Sequence, residues 1–194
     1  MEDEVSGREL ALRQLMYFER EGYINEYVLR KGIENRSESP DRNLQKAYDY
    51  LYGTVRLLKK LDYILTKHLK NYNLNQLPSP IRNILRMGVY GIIEGKDPEY
   101  AVVNSSVNLA KKYGHSGTAS LVNGVLRNIG DVEYPQDRIE YLSIFYSFPE
   151  WLVRRFISAY GDEKAENILK ISNNPPDFTV RVNRLKVEPD ALIR

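Results

Sequence analysis

Residues 44–69 read LQKAYDYLYGTVRLLKKLDYILTKHL. Leu44, Tyr48, Leu51, Val55 and Leu58 recur every three or four residues, and Leu61, Leu65 and Leu69 continue the step. That period belongs to one face of an amphipathic helix. Gly53 falls inside the pattern, which predicts close packing or a kink there.

The same period recurs on both sides. Upstream, Ser6 suits a helix N-cap, and Glu9 three residues on completes a capping box. Ala11, Leu15 and Phe18 follow, with Leu12 and Met16 beside them, and Gly22 ends the run. A short helix is expected over Ile24–Ile33, then a loop and helix start over Ser37–Asp41. Downstream, Leu77-Pro78-Ser79-Pro80 breaks the chain. Ile81, Leu85, Val89 and Ile92 predict a helix with Gly88 on or near its face. Val103, Val107 and Ala110 predict another, ending at Gly114. Val122, Val125 and Ile129 predict one more, ending at Gly130. About six helices in the first ~130 residues, with no competing strand pattern, make an all-α bundle.

Beyond Tyr134-Pro135 the chain turns acidic and aromatic. Ile139–Tyr146 reads as helical. Pro149 opens a helix at its first position, with Leu152, Phe156 and Ala159 on one face and Gly161 at its end. Asp162 is placed to cap the next, which carries Ala165, Ile168, Leu169 and Ser172. Asn173-Asn174-Pro175-Pro176 is a clear break. Phe178, Val180 and Val182 then alternate like a strand; the phase slips near Asn183 and resumes at Leu185 and Val187, as a bulge requires. A lone strand has no sheet to join, so this end reads as the opening of a further domain. The expected division is 1–132 for the bundle, 133–176 for a helical linker and 177–194 for the start of the next domain.

Composition limits the function classes. With 42% apolar and 28% charged residues, the chain is an ordinary globular sequence. It has no cysteine, which excludes a disulfide framework, thiolate metal ligation and a thiol nucleophile in these 194 residues. The start, Met1-Glu2-Asp3-Glu4, is acidic and no long apolar run follows, which argues against a secretory signal or membrane span and for a cytoplasmic protein. His68 and His115 have no acidic neighbours at ligand spacing, so neither a metal centre nor a catalytic triad is expected.

The net charge of +2 is unevenly spread. Residues 1–50 hold 8 Lys/Arg against 11 Asp/Glu, residues 51–130 hold 11 against 4, and residues 131–194 hold 9 against 11. A basic middle between acidic flanks points to an anionic partner.

Five segments in order carry a family resemblance. Arg8-Glu9-Leu10-Ala11-Leu12-Arg13-Gln14-Leu15-Met16-Tyr17 resembles the first helix of NusB-type domains. Tyr52-Gly53-Thr54-Val55-Arg56 and Ile84-Leu85-Arg86-Met87-Gly88-Val89-Tyr90 are similar to two later helices of that family. Val103-Asn104-Ser105-Ser106-Val107-Asn108-Leu109-Ala110-Lys111 and Leu121-Val122-Asn123-Gly124-Val125-Leu126-Arg127 are the most specific. Phe148-Pro149-Glu150-Trp151-Leu152 and Arg181-Val182-Asn183 resemble the continuation found in RsmB-type (RsmB/Sun) ribosomal RNA cytosine-C5 methyltransferases. There a NusB-like domain precedes a ferredoxin-like domain and an S-adenosylmethionine-dependent catalytic domain. Ser105 and Asn108 depart from the family, which usually has acidic residues there.

The resemblance implies an RNA-binding module that positions ribosomal RNA or its precursor and performs no catalysis itself. It also implies two alternatives: the N-terminal targeting part of a 16S rRNA cytosine-C5 methyltransferase, or an antitermination-type module that pairs with a ribosomal protein. No catalytic residue and no cofactor are expected in this chain. Candidate phosphate contacts are Arg8 and Arg13 on the first helix and Arg56, Lys59, Lys67 and Lys70 along the long one. Lys59, Lys67 and Lys70 are spaced to share a face. Arg82 and Arg86 lie one turn apart near a helix start, and Arg127 lies in the last family-like motif. Asn104 and Asn123 read as structural polar residues, and Trp151 as a core anchor at the junction.

Overall fold

The computed structural model describes residues 5–27, 29, 31, 40–70, 72–95, 97–174, 179, 181–183, 185 and 186. Among them nine α-helices follow one another: α1 (Gly7–Glu21), α2 (Pro40–Arg56), α3 (Leu58–His68), α4 (Ser79–Ile93), α5 (Glu99–Tyr113), α6 (Ser116–Leu126), α7 (Arg138–Phe145), α8 (Glu150–Tyr160) and α9 (Asp162–Ser172). None of the described residues is in a strand. The helix expected over Ile24–Ile33 lies partly outside the described residues; Glu26, Tyr27, Leu29 and Lys31 are helical, and Leu29 is fully buried. The strand expected over Phe178–Val187 lies largely outside them too; residues 181–183 are irregular, and Leu185 and Lys186 form a turn.

Helix α4 runs through the centre, packed against α1, α2, α3, α5 and α6. Its residues from Asn83 to Gly91 are all buried, as a helix apolar on most sides requires. Glycines permit the close approach. A Cβ on Gly88 would lie 2.5 Å from Leu126, and one on Gly53 would lie 2.1 Å from the Tyr90 ring. Gly53 therefore marks close packing between α2 and α4. The expected long helix is divided four residues later, where Leu57 leaves helical geometry and separates α2 from α3. The apolar step continues across the bend because Leu57 and Leu61 still donate to Gly53 and Leu57 carbonyls at 3.1 and 2.9 Å.

Several ends differ from the sequence expectation. The Ser6 hydroxyl accepts from the Glu9 amide at 3.2 Å, but the Glu9 carboxylate turns inward, so only half of the capping box forms. Helix α6 ends at Leu126 rather than near Gly130; the Asn128 side chain donates to the Gly124 carbonyl at 2.6 Å. Pro149 is the cap of α8 rather than its first residue, so α8 starts one residue later than expected, whereas Gly161 caps α9 and Asp162 is its first residue, one earlier than expected.

The last three helices form a second, smaller core of Leu142, Val153 and Leu169, with Phe148, Phe156 and Ile157 packed against it. Trp151 is not part of that core: it is 66% exposed on α8. Instead, tyrosines fasten these helices to the bundle. Tyr63 of α3 stacks on Tyr134 at 5.6 Å, and Tyr134 meets Tyr141 and Phe145 edge to face. Ser147, with φ of 61°, accepts the Lys60 amide at 2.9 Å. It thereby caps the first turn of α3, which has no cap of its own from Leu57.

Candidate nucleic-acid interface

The nine candidate cations fall into three groups. The first holds the bundle together. Arg86 is buried, its side chain 8% exposed, and forks onto both Asp62 oxygens at 2.6 and 2.8 Å while reaching Glu19 at 2.6 Å. Arg82 gives two bonds to Glu19 and two to the Asn75 and Leu77 carbonyls. Arg8 contacts Asp97 at 2.8 Å and the Tyr50 hydroxyl at 3.0 Å, with its side chain 12% exposed. The forks of Arg82 and Arg86 are taken up by these partners, and Arg8 is buried, its Nε enclosed without a partner, so we do not propose these three as phosphate contacts. Two of their carboxylates, Glu19 and Asp97, are held in the charged form. Burial pushes Glu19 upward, but Arg82, the Ser79 hydroxyl and Arg86 outweigh it and hold its pKa below the usual value. Burial likewise opposes Lys46, Tyr50 and Arg8 at Asp97 and loses.

Arg13 belongs partly to this group. Buried Glu9 accepts from Arg13, the Tyr113 hydroxyl and Lys112 at 2.7, 2.8 and 2.9 Å, which ties α1 to α5. Arg13 and Lys112 nevertheless keep nearly half of their side-chain surface open.

The second group turns toward the C-terminal helices. Lys59 donates to the Ser143 hydroxyl at 2.5 Å, and Arg56 to the Asn173 carbonyl at 2.9 Å. Lys59 therefore does not share a continuous phosphate track with Lys67 and Lys70. Helix α3 also stops at His68, so Lys70 lies beyond the helical register that the expectation assumed.

The third group faces outward. Lys67 and Lys70 are exposed at the end of α3 and line a shallow cleft of about 470 Å³ with exposed Tyr72, Gly124 and Asn128. Lys67 lies over the Tyr63 ring at 5.1 Å. Arg127, one residue before Asn128, is exposed, and its Nε donates to Asn123 at 3.0 Å. No carboxylate among the described residues pairs with any of the three. Asn123 thus takes a structural role, while Asn104 is simply exposed on α5.

A larger cleft, of about 1130 Å³, lies between α2 and the C-terminal helices. Arg56 lines it together with Lys60, which belongs to the same basic run along the long helix, and with Arg42, Lys46 and Lys170, which the sequence reading did not single out. A signal for most of them exists. Arg42, Lys46, Asp49, Arg56 and Lys60 fall at helical spacing, interrupted only by buried Gly53, so they form a polar stripe on the stretch whose apolar face was read first. Lys170, from a distant segment, had no such signal. No group of three potential metal-ligating side chains occurs among the described residues, and no helix there is long and apolar enough to cross a membrane.

Relatives share the fold of the bundle. Residues 6–131 match the family model described as the NusB family, and residues 148–194 match the Methyltr RsmF/B-like, ferredoxin-like domain. The probable ribosomal RNA small subunit methyltransferase B of Bacillus subtilis (strain 168) is 36% identical over 97% of this chain; the chain spans 43% of that relative's length. A protein chain in the crystal structure of a plectonemic RNA supercoil superposes with a TM-score of 0.57 at 28% identity, over 66% of this chain and 94% of that one. A chain in the crystal structure of the antitermination factors NusB and NusE in complex with dsRNA gives 0.55 at 27% identity, over 63% and 92%. The family match covers most of the chain, and the helical bundle follows the same path as these solved relatives. The chain belongs to the NusB family.

Proposed function

We propose that this chain is an RNA-binding module that positions ribosomal RNA or its precursor and does no chemistry of its own. One observation carries the reading. The carboxylates of the bundle neutralise Arg8, Arg82 and Arg86, yet among the described residues none pairs with exposed Lys67, Lys70 or Arg127, and Lys67 and Lys70 line a cleft that also presents Tyr72. Unpaired cations can neutralise phosphates, and an exposed aromatic ring beside them can stack on a base. The solved relative with dsRNA supports the choice of partner.

The likeness to small-subunit ribosomal RNA methyltransferases over nearly the whole chain favours a more specific setting. In that setting the module delivers RNA to an S-adenosylmethionine-dependent cytosine-C5 methyltransferase domain and works in the cytoplasm. We place the functional division near residue 132: Val132 packs against the large core, and Ile139 against the small one. The ferredoxin-like strand over 177–194 belongs to the same proposal.

The test is fluorescence anisotropy with labelled small-subunit rRNA fragments across a salt series. The reading expects binding at low salt and a linear fall of log affinity with log salt. Absence of binding at low salt sinks it. Salt-insensitive binding to a NusE-type ribosomal protein, without RNA binding, favours the protein-interaction alternative.

A further inference from the structure

The larger cleft has chemistry that the outward patch lacks. Lys60 is half-buried beneath Ser147 and the C-terminal helices, with its ammonium 4.4 Å from the Phe145 ring centre. Among the described residues that ammonium has neither a carboxylate nor a hydrogen-bond acceptor. Burial lowers its pKa, and Glu94 only partly restores it. A half-buried ammonium that makes no ion pair keeps its capacity to bind an anionic ligand, which would offset the cost of its burial. Arg56 and exposed Arg42 on the α2 side, and exposed Lys170 on the C-terminal side, add positive charge to a lining that also holds Asp49, Glu94 and Asp97.

Beside these cations, Tyr48 and Tyr52 stack with ring centres 5.9 Å apart and planes 14° from parallel. The Tyr52 hydroxyl donates to Glu26 at 2.5 Å, which holds the ring in place. The cleft's volume lies at or above the roughly 300–1,000 Å³ of small-molecule sites, and its shape is an open groove, so it suits a short run of polymer better than a single metabolite. A duplex keeps its base faces stacked inward, whereas unpaired nucleotides present them to aromatic rings.

We propose that this cleft binds a short single-stranded RNA segment, with Lys60, Arg56, Arg42 and Lys170 holding phosphates and the Tyr48–Tyr52 pair stacking a base. The inference rests on the RNA-binding reading, but it uses a surface separate from Lys67, Lys70 and Arg127.

The test measures the full chain by anisotropy against a fluorescein-labelled oligouridylate and a labelled blunt RNA duplex. It compares wild type with Lys60→Gln, with the exposed pair Arg42→Gln/Lys170→Gln, and with Tyr52→Ala. Thermal unfolding confirms that each is folded; the exposed pair keeps the test informative should Lys60→Gln perturb the α3 start. The expected result is about a tenfold loss of single-strand affinity in each variant, with duplex affinity unchanged. Unchanged single-strand affinity in the folded variants overturns the cleft site. Duplex binding without single-strand binding by wild type overturns it and leaves the RNA reading standing. Failure to bind either RNA removes both. Equal competition by a poly-glutamate peptide overturns the proposal and identifies the cleft as a groove for acidic peptide.

Discussion

Arginine is a poor guide to RNA contacts in this chain until its partners are known. Arg86 joins α4 to α3 and α1 through Asp62 and Glu19. Replacing it with Met leaves those carboxylates without their buried partner. We expect a loss of about 3–5 kcal/mol, read by urea denaturation, and no change in RNA affinity once the folded fraction is corrected for. Lys70→Glu is the opposite case: an unaltered unfolding curve and weaker RNA binding. The bundle's carboxylates also set its acid response. Glu9, Glu19 and Asp97 all have folded-state pKa values below their usual ones. The unfolded chain therefore binds more protons as pH falls, so their contribution is complete above about pH 4.5 and is lost below it. A pH series of urea midpoints should be flat with respect to these groups near neutrality and drop in acid. Glu19→Gln should be less stable at neutrality and show a shallower acid drop; an unchanged drop contradicts the assignment. None of this was legible in the sequence. Arg82 and Glu19 are 63 residues apart, and no local spacing signals their pairing.

At the scale of elements the sequence was far more legible. The apolar step over Leu44–Leu69 located both α2 and α3, and the runs at Ile81 and Val103 located α4 and α5, because periodic burial is a local property. The break at Leu57 was missed because the apolar period runs through it unaltered. What stabilises the break comes from elsewhere: Ser147 caps the new helix start from the segment between α7 and α8. Ser147→Ala should cost about 1 kcal/mol, measured by thermal or urea unfolding, and should loosen the docking of the last three helices. Gly53 shows a local rule overruled by packing. In an exposed helix Gly→Ala gains about 1 kcal/mol, but here the new methyl would meet the Tyr90 ring. We expect Gly53→Ala to destabilise by about 1–3 kcal/mol; a stabilised variant would show that α2 and α4 do not pack this closely.

Across the bundle, two sets of cations stand apart. Arg8, Arg82 and Arg86 face inward onto carboxylates, while Lys67, Lys70 and Arg127 face outward without a carboxylate partner among the described residues. The uneven charge map pointed to an anionic partner, but it could not separate the cations that hold helices together from those left for a ligand. Trp151 was misplaced for the same reason: a large apolar residue after a proline looks like a core anchor, and only the assembled helices show that Val153 fills that role. The small core of Leu142, Val153 and Leu169 also predicts that amides of α8 and α9 exchange before those of α4 in native-state hydrogen exchange. The central claim is that RNA affinity comes from the outward cations. Its most direct test is the salt dependence of rRNA-fragment binding by wild type and by Lys67→Glu/Lys70→Glu/Arg127→Glu. We predict weaker binding to all RNA sequences alike and a log–log salt slope reduced by roughly two to three; a triple variant with the affinity and slope of wild type would contradict it.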